Sequence, residues 1–294
     1  MPSSYSHDVK NELAHKFDED VNCLRAEFVA LLKIGAKKID GRLEFKSSNA
    51  AVARRVITLA KKFFPNVKPE VAAVRRKKLL KNLSYVVRFI EAGEVQNFFD
   101  ALDFNELLKR TRFKVAYLRG AFLAGGSVNR PETQYFLQIF AFTKEEALFL
   151  QKQLEKLEFN AGFRQRKKSF IVWLREGDAV CDFLGMVGAE AAVERFEVAR
   201  NLKEVRIQVN RVVNVETAAL NKSIAAAQRQ LDDIKILLDK KAPVNEKLQE
   251  AMKIRLDNPS CTIGELAEKI GMSHAGLLYR FQVIHKQATK FSKK

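Results

Sequence analysis

Hydroxyl, imidazole, guanidinium and ammonium groups gather in one stretch of the chain, TIGELAEKIGMSHAGLLYRFQVIHKQA (262–288). Such groups bond to phosphate oxygens and to base edges, so Thr262, Ser273, His274, Tyr279, Arg280 and Lys286, with Ala275 and Gly276 beside them on the leading face, are candidate contacts to a nucleic acid. Ala267 is small where two helices must cross closely, and Gly271 permits a turn with positive φ. Ser273 is a candidate N-cap for the helix that follows, and Leu266, Ile270, Leu277 and Phe281 supply a core. The Ala-x3-Gly-x5-Leu spacing is that of a helix-turn-helix, whose second helix enters a DNA major groove.

Two further cationic runs could meet phosphates: Arg75, Arg76, Lys77 and Lys78, and Arg164, Arg166, Lys167 and Lys168. Each neutralised phosphate would add about −0.9 to the dependence of binding on salt. A charge run is equally at home on a solvated hairpin tip. Residue types suited to covalent or metal chemistry are placed less favourably. Cys23, Cys181 and Cys261 are far apart and form no CxxC, so they read as buried thiols of a reducing compartment. His7, His15, His274 and His285 never fall in HxH or HExxH spacing. GAFLAGGS (120–127) lacks the GK[ST] ending of a phosphate loop. No catalytic residue, metal site or cofactor is expected.

The elements that must carry these groups follow from periodicity and repetition. Residues 24–30 (LRAEFVA) overlay residues 118–124 (LRGAFLA), and Leu43–Phe45 overlay Leu137–Ile139 at the same offset of 94. Ser47 or Ser48, and Thr143, then stand where helices begin. Residues 75–99 overlay 164–184: a basic turn, a β-rich run, then a helix. Such duplicated halves predict an α+β class, a pseudo-twofold domain of two αββαβ-type repeats with their sheets forming a shared surface. Leu220, Ile224, Ala227, Leu231, Ile234 and Leu238 step by three and four, predicting a helix from Glu216 to Asp239, about 36 Å long. Its apolar seam is expected to pack on the repeat domain. Glu246–Leu256 reads as a support helix ended at Asn258-Pro259. The expected domains are 1–110 and 111–205 for the repeats, 206–242 for a linker with the long helix, and 243–294 for the small all-α helix-turn-helix domain.

Charge bounds the partners. Of 294 residues, 52 are Lys or Arg and 35 are Asp or Glu, a net charge of +17 that is best relieved beside a polyanion. An anionic membrane would call for a basic amphipathic helix with tryptophan on its apolar face, yet the single Trp173 sits in a strand-like run. No apolar run approaches the roughly 20 residues of a membrane span, and MPSSYSHDVKNELA lacks a leader pattern. A cytoplasmic, nucleoid-associated chain that binds double-stranded DNA and no membrane is expected, with a monomer as the default and protein partners left open.

Taken together, AYLRGAFLAGGSV (116–128), Gly188-Ala189, NRVVNVETAALNKSIAAAQRQLDDI (210–234) and the C-terminal motif resemble the WhiA family of bacterial DNA-binding proteins. The likeness runs through nearly the whole chain. It implies a degenerate LAGLIDADG homing-endonuclease fold joined to a helix-turn-helix similar to region four of sigma factors. It also implies a part in cell division and chromosome segregation, or in developmental transcription. In active enzymes of that fold an acidic residue near the end of each motif helix holds divalent ions. Here Gly125 stands at that place, with Leu31 expected as its counterpart, and Glu27 lies four positions early. The expected function is thus that of a non-catalytic DNA-binding protein in cell division and chromosome segregation. The alternatives are a sequence-specific transcriptional regulator and, behind it, a divalent-metal-dependent DNA endonuclease. Relatives carry an acid where this chain has Gln138. Their recognition helix typically reads SKSGVNHRLRK, against SHAGLLYRFQV (273–283) here, which implies modest base discrimination.

Overall fold

In the computed structural model, residues 4–75, 83–90, 92–167 and 169–292 are described. The chain divides into two compact units, Met1–Lys203 and Glu204–Lys294. The first opens with α1 (Tyr5–His15) and then runs α2 (Val21–Gly35), β1 (Ala36–Ile39), β2 (Arg42–Ser47), α3 (Ala50–Phe63), β3 (Glu70–Arg75), β4 (Leu83–Phe89), α4 (Ala92–Asp100) and the short α5 (Phe104–Leu107). The order then repeats as α6 (Thr111–Gly125), β5 (Gly126–Val128), β6 (Leu137–Ala141), α7 (Lys144–Glu155), β7 (Gly162–Arg166), β8 (Ser169–Leu174) and α8 (Gly177–Val187). Each half extends the expected αββαβ pattern by a fourth strand and a closing helix. The sheets share one antiparallel order, β1-β2-β4-β3 and β5-β6-β8-β7.

Helices α2 and α6 form the centre of this unit because they are apolar around most of their circumference. Ala26, Phe28, Val29, Ala30, Leu31 and Leu32 on one, and Ala116, Tyr117, Leu118, Ala121, Phe122 and Leu123 on the other, are buried. A Cβ on Gly120 would lie 2.2 Å from the Glu27 carbonyl oxygen, so the two backbones approach more closely than any side chain permits.

The crossing also corrects the pairing of the halves. A Cβ on Gly35 would meet the Ala124 methyl at 3.2 Å, and one on Gly125 would meet Ile34 Cγ2 at 3.0 Å. Those contacts are reciprocal, so Gly125 corresponds to Gly35 and the expected partner, Leu31, lies one helical turn early. The offset is 90 in the motif helices and 94 in β2 and β6, because two residues (40–41) join β1 to β2 whereas eight (129–136) join β5 to β6. Two caps differ in outcome. Thr143 caps α7 in a capping box with Glu146 as expected, but α3 is capped by Asn49, whose Oδ1 accepts from Ala51 and Val52 N–H at 2.9 and 3.2 Å. Ser47 instead accepts from the Asn49 N–H.

One carboxylate lies inside the unit. Glu27 is fully buried on α2 and takes Arg55 of α3 on both oxygens, at 2.7 and 3.1 Å, and Arg119 Nε of α6 at 2.9 Å. Arg119 also reaches Asp18 at 3.1 Å. Burial alone would lower the Arg119 pKa, but Glu27 and Asp18 hold it above the usual range. Cys23 is buried as expected, whereas Cys181 and Cys261 are half-buried, and all three thiols are free. Among the described residues no helix is long and apolar enough to cross a membrane.

Removing the central carboxylate strands two buried guanidiniums. Glu27→Ala is expected to destabilise the first unit by about 3–5 kcal/mol, and Gly120→Val by about 1–3 kcal/mol through forced separation of the helices. Urea unfolding followed by Trp173 emission reads both, since this unit contains the chain's single tryptophan. An unchanged midpoint for Glu27→Ala would show that the charges are not confined as described.

Candidate nucleic-acid interface

The second unit is built on the C-terminal part of α9 (Glu190–Asp239) with α10 (Glu246–Asp257), α11 (Ile263–Lys269) and α12 (His274–Ser292). Helix α9 begins well before the expected Glu216; the polar composition of residues 201–215 does not interrupt it. Its seam divides. Leu220, Ile224 and Leu238 are exposed, while Ile234 joins a core with Leu248, Met252, Leu266, Leu277, Phe281 and Ile284; Leu237, one residue off the expected seam, takes the inward place expected of Leu238. The lower seam therefore packs within its own unit and the expectation that it covers the repeat domain is corrected.

Local chemistry fixes each helix start. Asn245 caps α10 by accepting from the Leu248 N–H at 3.0 Å, and α10 matches the expected support helix to within a residue. Thr262 caps α11 in a capping box with Glu265. Hydrogen bonds from the Thr262 backbone and hydroxyl hold the Glu265 carboxyl below its ordinary range. Gly271 then adopts φ +62°, and the Met272 N–H returns to the Ala267 carbonyl at 2.9 Å. Ser273 Oγ accepts from the Gly276 N–H at 3.2 Å, starting α12 as expected. Ala267 is buried at the crossing, with Leu266, Leu277 and Phe281 around it.

Arg255 ties the unit together from inside. It is 1% exposed, donates to Gln230 Oε1 on α9 at 2.9 Å and to the Cys261 carbonyl at 2.5 Å, and lies 5.5 Å from the centre of the Phe281 ring. Burial holds its pKa below the usual arginine range. It joins α9, α10, the loop before α11, and α12.

The candidate contact residues separate into two groups. Ser273, His274, Ala275 and Tyr279 are exposed at the start of α12, and Lys286 is exposed two turns on. Ala275, Tyr279, Gln282 and Lys286 step by four, three and four, so they share one solvent-facing stripe. Gln282 was not among the expected contacts, although its spacing from Tyr279 and Lys286 could have found it. Thr262 and Gly276 serve the helix starts. Arg280 is drawn off the stripe: its Nη1 donates to Glu250 at 2.6 Å and to the Lys247 carbonyl at 3.0 Å, tying α12 to α10. His285 meets Asp233 of α9 at 2.8 Å.

In the first unit, Arg164 and Arg166 lie exposed on β7 and Lys167 follows in the turn with φ +55°. Arg75 ends β3, whereas Arg76, Lys77, Lys78 and Lys168 lie outside the described residues. At the motif-helix ends, a Cβ on Gly125 would stand 2.8 Å from the Phe140 carbonyl oxygen, and one on Gly35 2.2 Å from the Phe45 ring. Neither place accommodates a carboxylate side chain without displacing a neighbour. Among the described residues no group of three or more His, Cys, Asp or Glu is arranged to hold a metal.

Comparison with known proteins gives consistent matches along the chain. Three family models match: the WhiA N-terminal LAGLIDADG-like domain over residues 21–104, the WhiA LAGLIDADG-like domain over 114–206, and the WhiA C-terminal HTH domain over 209–288. The probable cell division protein WhiA of Lysinibacillus sphaericus is 37% identical over 96% of this chain and 95% of its own length. That of Staphylococcus carnosus is 35% identical over 98% and 97%. The crystal structure of full-length DUF199/WhiA from Thermatoga maritima superposes with a TM-score of 0.59 at 21% identity, covering 98% of this chain and 99% of that one, a likeness of fold.

Two substitutions separate support from contact in the helical unit. Arg255→Ala leaves Gln230 and the Cys261 carbonyl without their partner and is expected to lower the thermal midpoint of this unit, a loss of about 1–3 kcal/mol per group left unsatisfied. Lys286→Ala should leave that midpoint alone. It should instead weaken duplex binding about equally for all sequences and reduce the salt slope by about 1 in anisotropy titrations. A Lys286→Ala protein with unaltered duplex affinity would remove the stripe from consideration.

Proposed function

The chain belongs to the WhiA family, and from that membership we propose that it is a non-catalytic, nucleoid-associated DNA-binding protein of the bacterial cytoplasm, acting in cell division and chromosome segregation. The observation that carries this reading is the exposed stripe of Ala275, Tyr279, Gln282 and Lys286, presented by a helix whose start is set by Gly271 and Ser273. A helix so presented fits a major groove, and the net charge of +17 supplies the attraction to phosphate. The relatives in Lysinibacillus and Staphylococcus carry cell division in their names, which supports the cellular role. The absence of catalysis is supported by Gly35 and Gly125, whose surroundings leave no room for metal-binding carboxylates.

Arg280 being tied to Glu250 leaves Lys286 as the cation of the stripe, so affinity rests mainly on phosphate contact. Gln282 favours a second reading, sequence-specific regulation, because a glutamine amide can pair with adenine N6 and N7. Mapping bound DNA across the chromosome, in cells carrying wild-type chain or Gln282→Ala, discriminates the two. Broad, strongly salt-sensitive coverage that survives the substitution is the expected result. Sharp peaks with a shared motif that vanish in Gln282→Ala would establish the regulator. Incubation of plasmid with the protein and Mg²⁺ or Mn²⁺ should leave the plasmid intact; nicking abolished by a carboxylate substitution would overturn the non-catalytic reading.

A further inference from the structure

The two sheets of the first unit have the same topology and different outer surfaces. The registers Leu43↔Phe89 and Leu137↔Leu174 place Glu44 opposite Arg88 in one sheet where Gln138 stands opposite Trp173 in the other. Lys46 opposite Val86 corresponds to Phe140 opposite Ile171. Along β2 the outward residues are Arg42, Glu44 and Lys46, and at the matching places around β6 they are Phe136, Gln138 and Phe140. In the first sheet the charges satisfy one another: Glu44 accepts from Arg88 at 2.7 Å and meets Lys46 at 2.9 Å, which holds its carboxyl below the ordinary range. Among the described residues the second sheet has no such pairing.

What replaces it is a bed of rings with cations beside them. The indole of Trp173 lies against β7, where a Cβ on Gly162 would come within 2.2 Å of Cε2, so glycine there lets the ring sit across the strand. Arg164 and Arg175 stand 5.5 and 5.1 Å from the indole, and Arg175 also lies 5.8 Å from the Phe136 ring. Phe140 meets Phe142 edge-on at 5.0 Å, and Lys37 sits 4.2 Å from the Phe142 ring. Arg164 and Arg175 are exposed, and among the described residues neither is paired with a carboxylate. Trp173 on β8 and Phe140 on β6 are diagonal neighbours across the register, about 7–8 Å apart; such rings offer flat faces to unpaired bases, and the exposed guanidiniums offer charge to the backbone.

We propose that the outer face of the β5-β6-β8-β7 sheet binds single-stranded nucleic acid, stacking unpaired bases on Trp173 and Phe140 and holding the strand's phosphates with Arg164 and Arg175. A duplex keeps its bases stacked on one another and has no ring face to give to this surface. The site is separate from the helix-turn-helix, which contains no tryptophan.

Trp173 is the chain's single tryptophan, so its emission reports this face alone. Full-length protein is titrated with an oligothymidylate of about 20 nucleotides, longer than the roughly 4–16 that an OB-fold module covers. The matching oligouridylate and a duplex of equal length are titrated in parallel. Quenching of the indole by a single strand and much less by the duplex is expected, and the preferred single strand identifies DNA or RNA. Labelled-oligonucleotide anisotropy should show Trp173→Ala and Phe140→Ala weakening single-strand binding by roughly five- to 150-fold. Trp173→Phe, which keeps a ring, should retain most of the affinity, and Arg175→Ala should weaken binding with a smaller salt slope while preserving the quench. Duplex affinity through the helix-turn-helix should not change in any of these variants, which separates failure here from failure of the proposed DNA-binding function. Bound oligothymidylate with unaltered indole emission, equal quenching by the duplex, or full affinity in Trp173→Ala would each overturn the site.

Discussion

The first unit depends on how closely two helix backbones can pass. At the crossing of α2 and α6, Gly120 leaves open the space next to the Glu27 carbonyl, and Gly35 and Gly125 do the same at the helix ends. Each glycine sacrifices helix propensity, of order 1 kcal/mol relative to alanine, and the close crossing more than offsets it by letting the large apolar side chains on both helices interdigitate. The strands that follow begin immediately, at Ala36 and Gly126. Their sheets are therefore set by the crossing, and so is every residue they present outward. The same closeness removes the room that a metal-binding carboxylate would need. The close crossing and the lack of room for a carboxylate at Gly35 and Gly125 are here one steric fact.

Much of this is legible in the sequence. The duplication, the α+β class and the helix-turn-helix spacing follow from short patterns whose physical causes are local: a positive φ at Gly271, a hydroxyl at Thr143 or Ser273, aromatic and β-branched residues in Tyr85–Val87. The misreadings have local causes too. LRAEF and LRGAF look alike, but matching them places Leu31 beside Gly125, one turn out of register. The packing of a helix is decided by which small residues meet, and that can shift by four residues without altering the apolar pattern. Ser47 and Ser48 resemble a cap, yet Asn49 is the residue with extended backbone geometry at the helix start. The start of α9 was invisible because a run such as Val205, Ile207 and Val209 has no helical period.

The candidate contacts were legible as a region and less so as individual groups. Exposure decides between them, and exposure depends on partners elsewhere in the unit. Arg280 has the chemistry of a contact, but Glu250 and the Lys247 carbonyl hold it. Gln282, outside the expected contacts, lies on the open stripe. In the sheets, the contrast between Arg42-Glu44-Lys46 and Phe136-Gln138-Phe140 is plain text in the chain. It acquires meaning only once the strand register aligns the two triplets. Sequence supplies residue types; register supplies the comparison.

The buried carboxylate also makes the two halves unequal. Glu27 belongs to one half and Arg119 to the other, while Tyr117 and Val29 occupy the corresponding places under the twofold relation that pairs Gly35 with Gly125. Two copies of the second half would confine two guanidiniums with no acid between them, and two copies of the first would leave each Glu27 without its second arginine. Neither half can therefore pair with a copy of itself and keep these ion pairs, and in this chain the two halves form an obligate couple.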